Sequence, residues 1–311
     1  MAFGSFYQPW RENLCDGPEA WGQWMADLRA TGVSRLIVQW VSWEHDWLFV
    51  SRPCTTDTAN DDRLRQLLDA AAQHGISVWL GLDGSSYWWQ ATQACNSDVE
   101  VGGYLSWHAA VLAELAEALL PVTGHAAFGG WYLSDEIDDI NWIGSFRAEA
   151  LGAFLQSITA SLKTWTPQKR IAISYFANGS RTNAEQCEVQ WRRWLNAAPL
   201  LDEVLFQDGI GAGHNTLAQW PALLAAVSRA AATATPKRRC TPVVELFEPR
   251  QPKEADEPLF HPAPASRVEA QMALAKKNHQ ETVAFSVPDY VTRPHPKYTA
   301  QAEALRAWLT P

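Results

Sequence analysis

What the sequence lacks narrows its class first. No apolar run reaches the roughly 18 residues needed to cross a bilayer, so no membrane insertion is expected. The opening residues, MAFGSFYQPW, contain no basic stretch followed by an apolar one, so no secretory leader is read. The location is left open between cytoplasmic and exported with a leader already removed. Basic residues are the minority: 25 Lys and Arg against 34 Asp and Glu give a net charge of −9. An acidic chain is repelled by phosphate backbones, so nucleic acid is not an expected partner. The one compact basic run, Lys237-Arg238-Arg239, reads as a solvated turn. Cysteine is sparse and scattered at Cys15, Cys54, Cys95, Cys187 and Cys240, and no pair forms a C-x-x-C. Zinc-ribbon and thioredoxin-like readings therefore fail. Neither G-x-G-x-x-G nor G-x-x-x-x-G-K-[ST] stands at a strand–helix junction. The nearest glycine cluster, DGIGAG at 208–213, has neither the spacing nor the lysine for phosphates.

Tryptophan, in contrast, is abundant, with 17 in the chain. Some of this is core filler, because an indole buries a large area. Several, however, lie beside polar residues at predicted strand ends, where flat apolar faces suit the C–H faces of sugar rings.

Strand-like runs alternate with helical patterns along the whole length. The strands fall at 3–9, 35–43, 77–84, 129–136, 170–176, 203–209, 241–248 and 281–290. The helices between and after them fall at 18–32, 61–75, 103–124, about 145–165, 184–199, 217–233, 266–280 and 298–309. Pro18 opens the first helix, and Gly32 and Gly75 close the first two, as helix punctuation requires. Eight strand–helix units with no break in composition predict an α/β fold, a single (β/α)8 TIM barrel over 1–311. The long connections, 44–60, 84–102 and 249–265, all follow strands, so they belong to the C-terminal face where barrel sites are built. Cys54 and Cys95 fall in neighbouring loops there, where a disulfide is one possibility.

A barrel strand buries both faces, and the period of two separates them. In GGWYLSDEIDD (129–139), Trp131 and Leu133 belong to the helix-facing set, and Tyr132, Ser134 and Glu136 to the axial set. Glu136 thus emerges at the mouth, and Asp135 points the other way. The same parity turns Gln8, Gln39, Asp83, Ser174, Gln207, Glu245 and Ser286 inward. Glu245 lies between Val244 and Leu246 in a buried strand, a costly place unless paired or used. Glu136 and Glu245 would then face each other from the fourth and seventh strands. Glycoside hydrolysis needs such a pair, and a separation of about 5–5.5 Å suits a retaining displacement. Mutual repulsion would raise one pKa, which suits the proton donor.

These residues resemble a known group. Glutamates ending strands four and seven mark the large clan of retaining TIM-barrel glycosidases. More narrowly, GSFYQPW (4–10), GGWYLSDEID (129–138), LFQDGIG (205–211) and VVELFEP (243–249) resemble a bacterial family of TIM-barrel proteins of unknown function grouped with the glycoside hydrolases. The resemblance implies a retaining hydrolase of a poly- or oligosaccharide, with Glu136 as acid/base, Glu245 as nucleophile and no cofactor. It departs at Asp135, where the clan has Asn on the sugar 2-OH.

Other residues are candidates for the carbohydrate. Asp83 and Asp208 end strands three and six and either bind hydroxyls or cap the following loops. Trp40, Trp43, Trp88, Trp89 and Trp142 are candidates for stacking. Tyr175 and Tyr290 are candidates for orienting the nucleophile or closing the subsite beside it. Gln8, Gln207 and Asp135 complete the expected substrate-binding set. Asp138 and Asp139 read as loop solvation or helix-start charges. Two rival classes share the fold: a metal-dependent isomerase or phosphoesterase using Asp83, Glu136, Asp208 and Glu245, and a non-catalytic glycan-binding barrel. The first is disfavoured because no predicted strand end carries His. Oligomeric state is not legible.

Overall fold

The computed structural model describes residues 3–10, 17–49, 63–249, 259–277 and 279–310. Eight strands close into a barrel: β1 (Phe3–Tyr7), β2 (Val33–Val38), β3 (Ser77–Gly81), β4 (Phe128–Ile137), β5 (Arg170–Tyr175), β6 (Glu203–Gln207), β7 (Arg239–Glu245) and β8 (Val283–Phe285). Every barrel pair is parallel, and β8 closes on β1. Around them lie α1 (Pro18–Ala30), α2 (Arg63–Gln73), α3 (Asp98–Ala118), α4 (Ser145–Trp165), α5 (Ala184–Ala197), α6 (Trp220–Thr233), α7 (Ala265–Lys276) and α8 (Thr299–Leu309). The fold is a single (β/α)8 TIM barrel.

Local chemistry sets the helix starts. Pro18 occupies the first turn of α1, where its missing N–H costs nothing. Ser97 and Glu100 form a capping box at α3, and Asn183 and Gln186 form another at α5. The box at Ser97 begins α3 five residues before the apolar periodicity that places a helix start at 103.

Two strand ends differ from expectation. The run 35–43 stops as a barrel strand at Val38, and Ser42–Trp43 pairs with Asp46–Trp47 and Asp83–Gly84 in a small sheet on the top face. The run 281–290 yields only Val283–Phe285, and a π-helical turn follows at Pro288–Thr292. Arg238 is also not a solvated turn residue. It is buried and donates to the carbonyls of Pro199 and Pro236.

Two apolar layers hold the barrel. The larger lies between strands and helices and includes Trp131, Leu133, Tyr175, Trp191 and Trp194. The Trp131 indole reaches Thr166 at the end of α4 (2.8 Å), as expected for a helix-facing residue. The axial layer takes one side chain from each strand: Phe6, Ile37, Trp79, Tyr132, Ala172, Leu205, Val243 and Val283, with Phe285 above it. Parity thus holds around the barrel except at β8. There Phe285 is the axial residue, and Ser286 instead bonds Asp289 beyond the strand. Below the axial layer, buried Glu203 accepts from Arg35 (3.0 and 3.1 Å), Arg170 (3.4 Å) and Thr241 (2.7 Å). Both guanidinium groups also lie over the Trp79 ring. Burial pushes the Glu203 pKa up, but the two arginines and Thr241 outweigh it and hold the carboxyl below its usual range.

Candidate active site

β4 delivers Glu136 to the top of the barrel. Its pairing with β5 shifts register between Leu133 and Ile137, so Ser134, Asp135 and Glu136 span an irregular stretch that re-aims side chains. Neighbours fix this stretch. Ser134 bonds the Gln39 carbonyl (2.7 Å), and the Trp88 indole N–H bonds the Glu136 carbonyl (3.0 Å). The half-buried Glu136 side chain accepts from Gln207 Nε2 at 2.7 Å. Burial raises its pKa, and the Gln207 bond opposes the rise.

β7 delivers Glu245, which is 3% exposed. The glycine-rich loop DGIGAG after β6 lies directly against it. The backbone N–H of Ala212 donates to Glu245 Oε2 at 2.7 Å. A Cβ on Gly211 would lie 2.3 Å from the Phe247 carbonyl oxygen and 2.9 Å from Glu245 Cβ and Oε2. Only glycine lets this loop approach so closely. Burial pushes the Glu245 pKa up to about 8, and the charges of Asp208 and, more weakly, Glu136 add to the rise. The Ala212 N–H and Arg267 counter it in part. Repulsion within the pair raises one carboxyl, as expected, but that carboxyl is Glu245 rather than the expected proton donor; Glu136 is raised by burial.

Glu136 and Glu245 line one cavity of about 290 Å³, with Gln8, Gln39, Gln207, Trp89, Phe176, Ala212, His214, Phe247 and Phe285. An adjoining cavity of about 280 Å³ shares Gln8, Gln39, Trp89 and Glu136. It is otherwise lined by Trp10, Trp40, Trp43, Gly84, Ser85, Ser86, Trp88, Ser134 and Asp135. Gln8 and Gln39 are bonded to each other at 3.0 Å. Of the residues singled out in the sequence, the structure therefore gathers Glu136, Glu245, Gln8, Gln207, Asp135, Trp40, Trp43, Trp88 and Trp89 here.

Other candidates lie elsewhere. Asp83 lines a separate cavity with Ser42, His45 and Trp47, where it accepts from the His45 backbone (3.1 Å). The loop-capping alternative describes it, because β3 ends at Gly81 and Asp83 joins the small top sheet. Asp208 is fully buried, close enough to Glu245 for its charge to act there, and accepts from the Ile210 N–H (3.1 Å) and from Gln271. It too caps a loop rather than lining either cavity. Tyr175 faces the helices, with its hydroxyl 3.4 Å from Cys187 Sγ and its ring against Trp191 and Phe206. Its odd parity in β5 explains the miss. Tyr290 lies in the π-helical turn, packs on Phe247 and feels the Glu245 charge, but lines neither cavity. Trp142 is buried behind Trp88. Asp138 and Asp139 are buried rather than solvated: Asp138 accepts from the Ile140 and Asn141 amides, and Asp139 from the Asn178 amide. Among the described residues, no group of three or more His, Cys, Asp or Glu could hold a metal ion. Cys54 lies outside the described residues, and with it the proposed pairing to Cys95.

His108 on α3 was missed. It is fully buried, is stacked between Tyr104 and Phe154, and meets both Asp135 oxygens at 2.9 and 3.0 Å. Burial alone would lower its pKa, but the Asp135 charge and hydrogen bond reverse this and leave it raised. A lone His on an apolar helix face was the available signal. Trp10, Phe176, His214, Phe247 and Phe285 were missed because each reaches the cavities from a loop or strand end.

Comparison with known proteins places these features in context. A curated relative is 24% identical over 290 residues, covering 91% of this chain and 88% of its own length: the uncharacterized protein YbcH of Escherichia coli strain K12. A crystal structure of a protein assigned as an alpha-L-fucosidase from Bacteroides thetaiotaomicron superposes with a TM-score of 0.74 at 16% identity, over 99% of this chain and 92% of that one. An endo-1,4-beta-mannanase from Eisenia fetida gives 0.54 at 14% identity, over 94% and 84%. At these identities the likeness concerns the fold. The sequence profile of the Domain of unknown function (DUF4434) matches residues 3–298, and the chain belongs to that family.

Proposed function

We propose that the protein is a retaining glycoside hydrolase, with Glu136 as acid/base and Glu245 as nucleophile. The carrying observation is that half-buried Glu136 from β4 and buried Glu245 from β7 line one cavity walled by amides and aromatic rings. The structural neighbours that act on glycans support a carbohydrate substrate.

Position divides the roles. Glu245 borders one cavity, and Glu136 borders both. A proton donor belongs where the leaving oxygen passes from one sugar unit to the next, which is the place of Glu136. Its Oε1 is held by Gln207, leaving the other oxygen for the proton. Glu245 would attack the anomeric carbon to form a glycosyl ester, while Glu136 protonates the departing oxygen. Glu136, now ionised, would then take a proton from water, which attacks the ester and releases Glu245. Glu245 must be ionised to attack, and the Ala212 N–H stabilises that anion.

The test is a hydrolysis screen over glycans and aryl glycosides, with the product anomer followed by NMR. Retention is expected, and Glu136→Gln and Glu245→Gln should each lower kcat by about 10² or more. Inverted product would remove the nucleophile role from Glu245. Equal glycan binding by both variants, with no cleavage by the wild type, would leave a binding protein.

A further inference from the structure

The cleft has two chambers of similar size, about 290 and 280 Å³, and only the first contains Glu245. We propose that the second chamber is a subsite for a second neutral sugar ring, so that the substrate is a glycan of at least two units lying across Glu136. This inference rests on the hydrolase reading above for the identity of the reacting ring.

One wall of the second chamber is a cluster of mutually packed indoles. The rings of Trp10, Trp40 and Trp43 lie 4.8 to 5.1 Å apart by centroid, inclined at 56 to 65°. The backbone at Gly84 packs against this cluster: a Cβ there would stand 2.8 Å from Trp43 and 3.0 Å from Trp40. Trp10 keeps 36% of its surface exposed at the rim, an apolar face left to water unless something covers it.

The rest of the lining points to a polar occupant: Ser85, Ser86, Gln8 and Gln39 offer hydroxyl and amide groups to sugar hydroxyls. Among the described residues, neither chamber is lined by Lys or Arg, so no permanent cation there would pair with a phosphorylated or carboxylated sugar. The chemistry is that of a neutral ring with an apolar C–H face and hydroxyl edges.

The test compares disaccharides of glucose, mannose, xylose and fucose with the matching glycosyl fluorides. A fluoride leaving group fills no subsite, so the fluoride reports the Glu245 chamber alone. Trp10→Ala is expected to lower the ratio of kcat/KM for disaccharide over fluoride at least tenfold. Trp10→Phe, which keeps an aromatic face, should restore most of that ratio. An unchanged ratio in Trp10→Ala overturns the proposal. Calorimetric binding of the same disaccharides to Glu245→Gln separates the two readings. If they bind, and lose affinity when Trp10→Ala is added, while the wild type cleaves neither substrate, the subsite stands and the hydrolase reading fails. If none of the set binds or reacts, the subsite proposal falls.

Discussion

Glu245 carries a contradiction at the scale of one residue. A nucleophile must be ionised, yet burial and the Asp208 charge hold its pKa up at about 8. The protein alone therefore keeps Glu245 largely protonated at neutral pH. The proposed reaction needs Glu245 ionised and Glu136 protonated, so the pH profile of kcat/KM should be bell-shaped, with Glu245 setting a limb near 8. Asp208→Asn removes the neighbouring charge while keeping the side chain's shape. It should move that limb to lower pH, as pH–rate measurements on the two proteins would register; an unmoved limb would mean that Glu245 does not set it. The same group has a stability signature. Its folded pKa lies above the ordinary carboxyl value of about 4.3, so the folded state holds a proton that the unfolded chain has released. That contribution is fully present below the ordinary value and is lost as pH rises toward 8. Glu245→Gln imitates the protonated form and escapes the loss. Thermal melts at pH 5 and pH 8 should show the variant gaining on the wild type at the higher pH, by roughly a few degrees.

At the scale of elements, the loop after β6 holds the end of β7 that carries Glu245. DGIGAG contains Gly209 and Gly213 at φ of +62° and +78°, and Gly211 in contact with Glu245. Its glycines serve close approach to a carboxylate rather than to a phosphate. Gly211→Ala puts a methyl group against backbone at Phe247, an obstacle that cannot rotate away. Activity should fall by roughly tenfold or more through displacement of Glu245, consistent with the cost of a misplacement of about 1 Å. A crystal structure of the variant with Glu245 unmoved would refute this. A loop of this kind was visible in the sequence only as a motif that fits no known spacing. Conversely, β4 was largely legible. Strand parity separates Trp131 and Leu133 from Tyr132 and Glu136 without any tertiary information, because β geometry alternates sides whatever the fold.

The barrel as a whole is held closed at the end opposite the site. Glu203 joins Arg35 and Arg170 across the bottom, and both guanidinium groups lie over the Trp79 ring. Glu203→Gln would leave two cations without their shared anion, at a cost of about 3 kcal/mol or more. Urea unfolding should register this as a lower midpoint. A change below 0.5 kcal/mol would show that the network contributes little. Replacing Trp79 with Ala empties the centre of the axial layer and should cost about 3–5 kcal/mol by the same measurement.

The sequence by itself determined the order of elements, the single barrel and the two glutamates at the mouth. These follow from periodicity and alternation, which are properties of the local backbone. Boundaries were less secure where local signals competed, as at the capping box before α3 and the early end of β8. What only the tertiary structure decided is which polar residues meet. Asp83, Asp208 and Tyr175 left the site because a strand ended early, a loop folded back, or a side chain fell on the helix side. Trp10, His108 and Phe285 joined the site or its support because closure of the barrel brought loops, a helix and a strand end distant in sequence to one place. Alternation fixes the direction in which Glu136 points, but only the packed barrel gives it Gln207, Trp88 and Glu245 as neighbours.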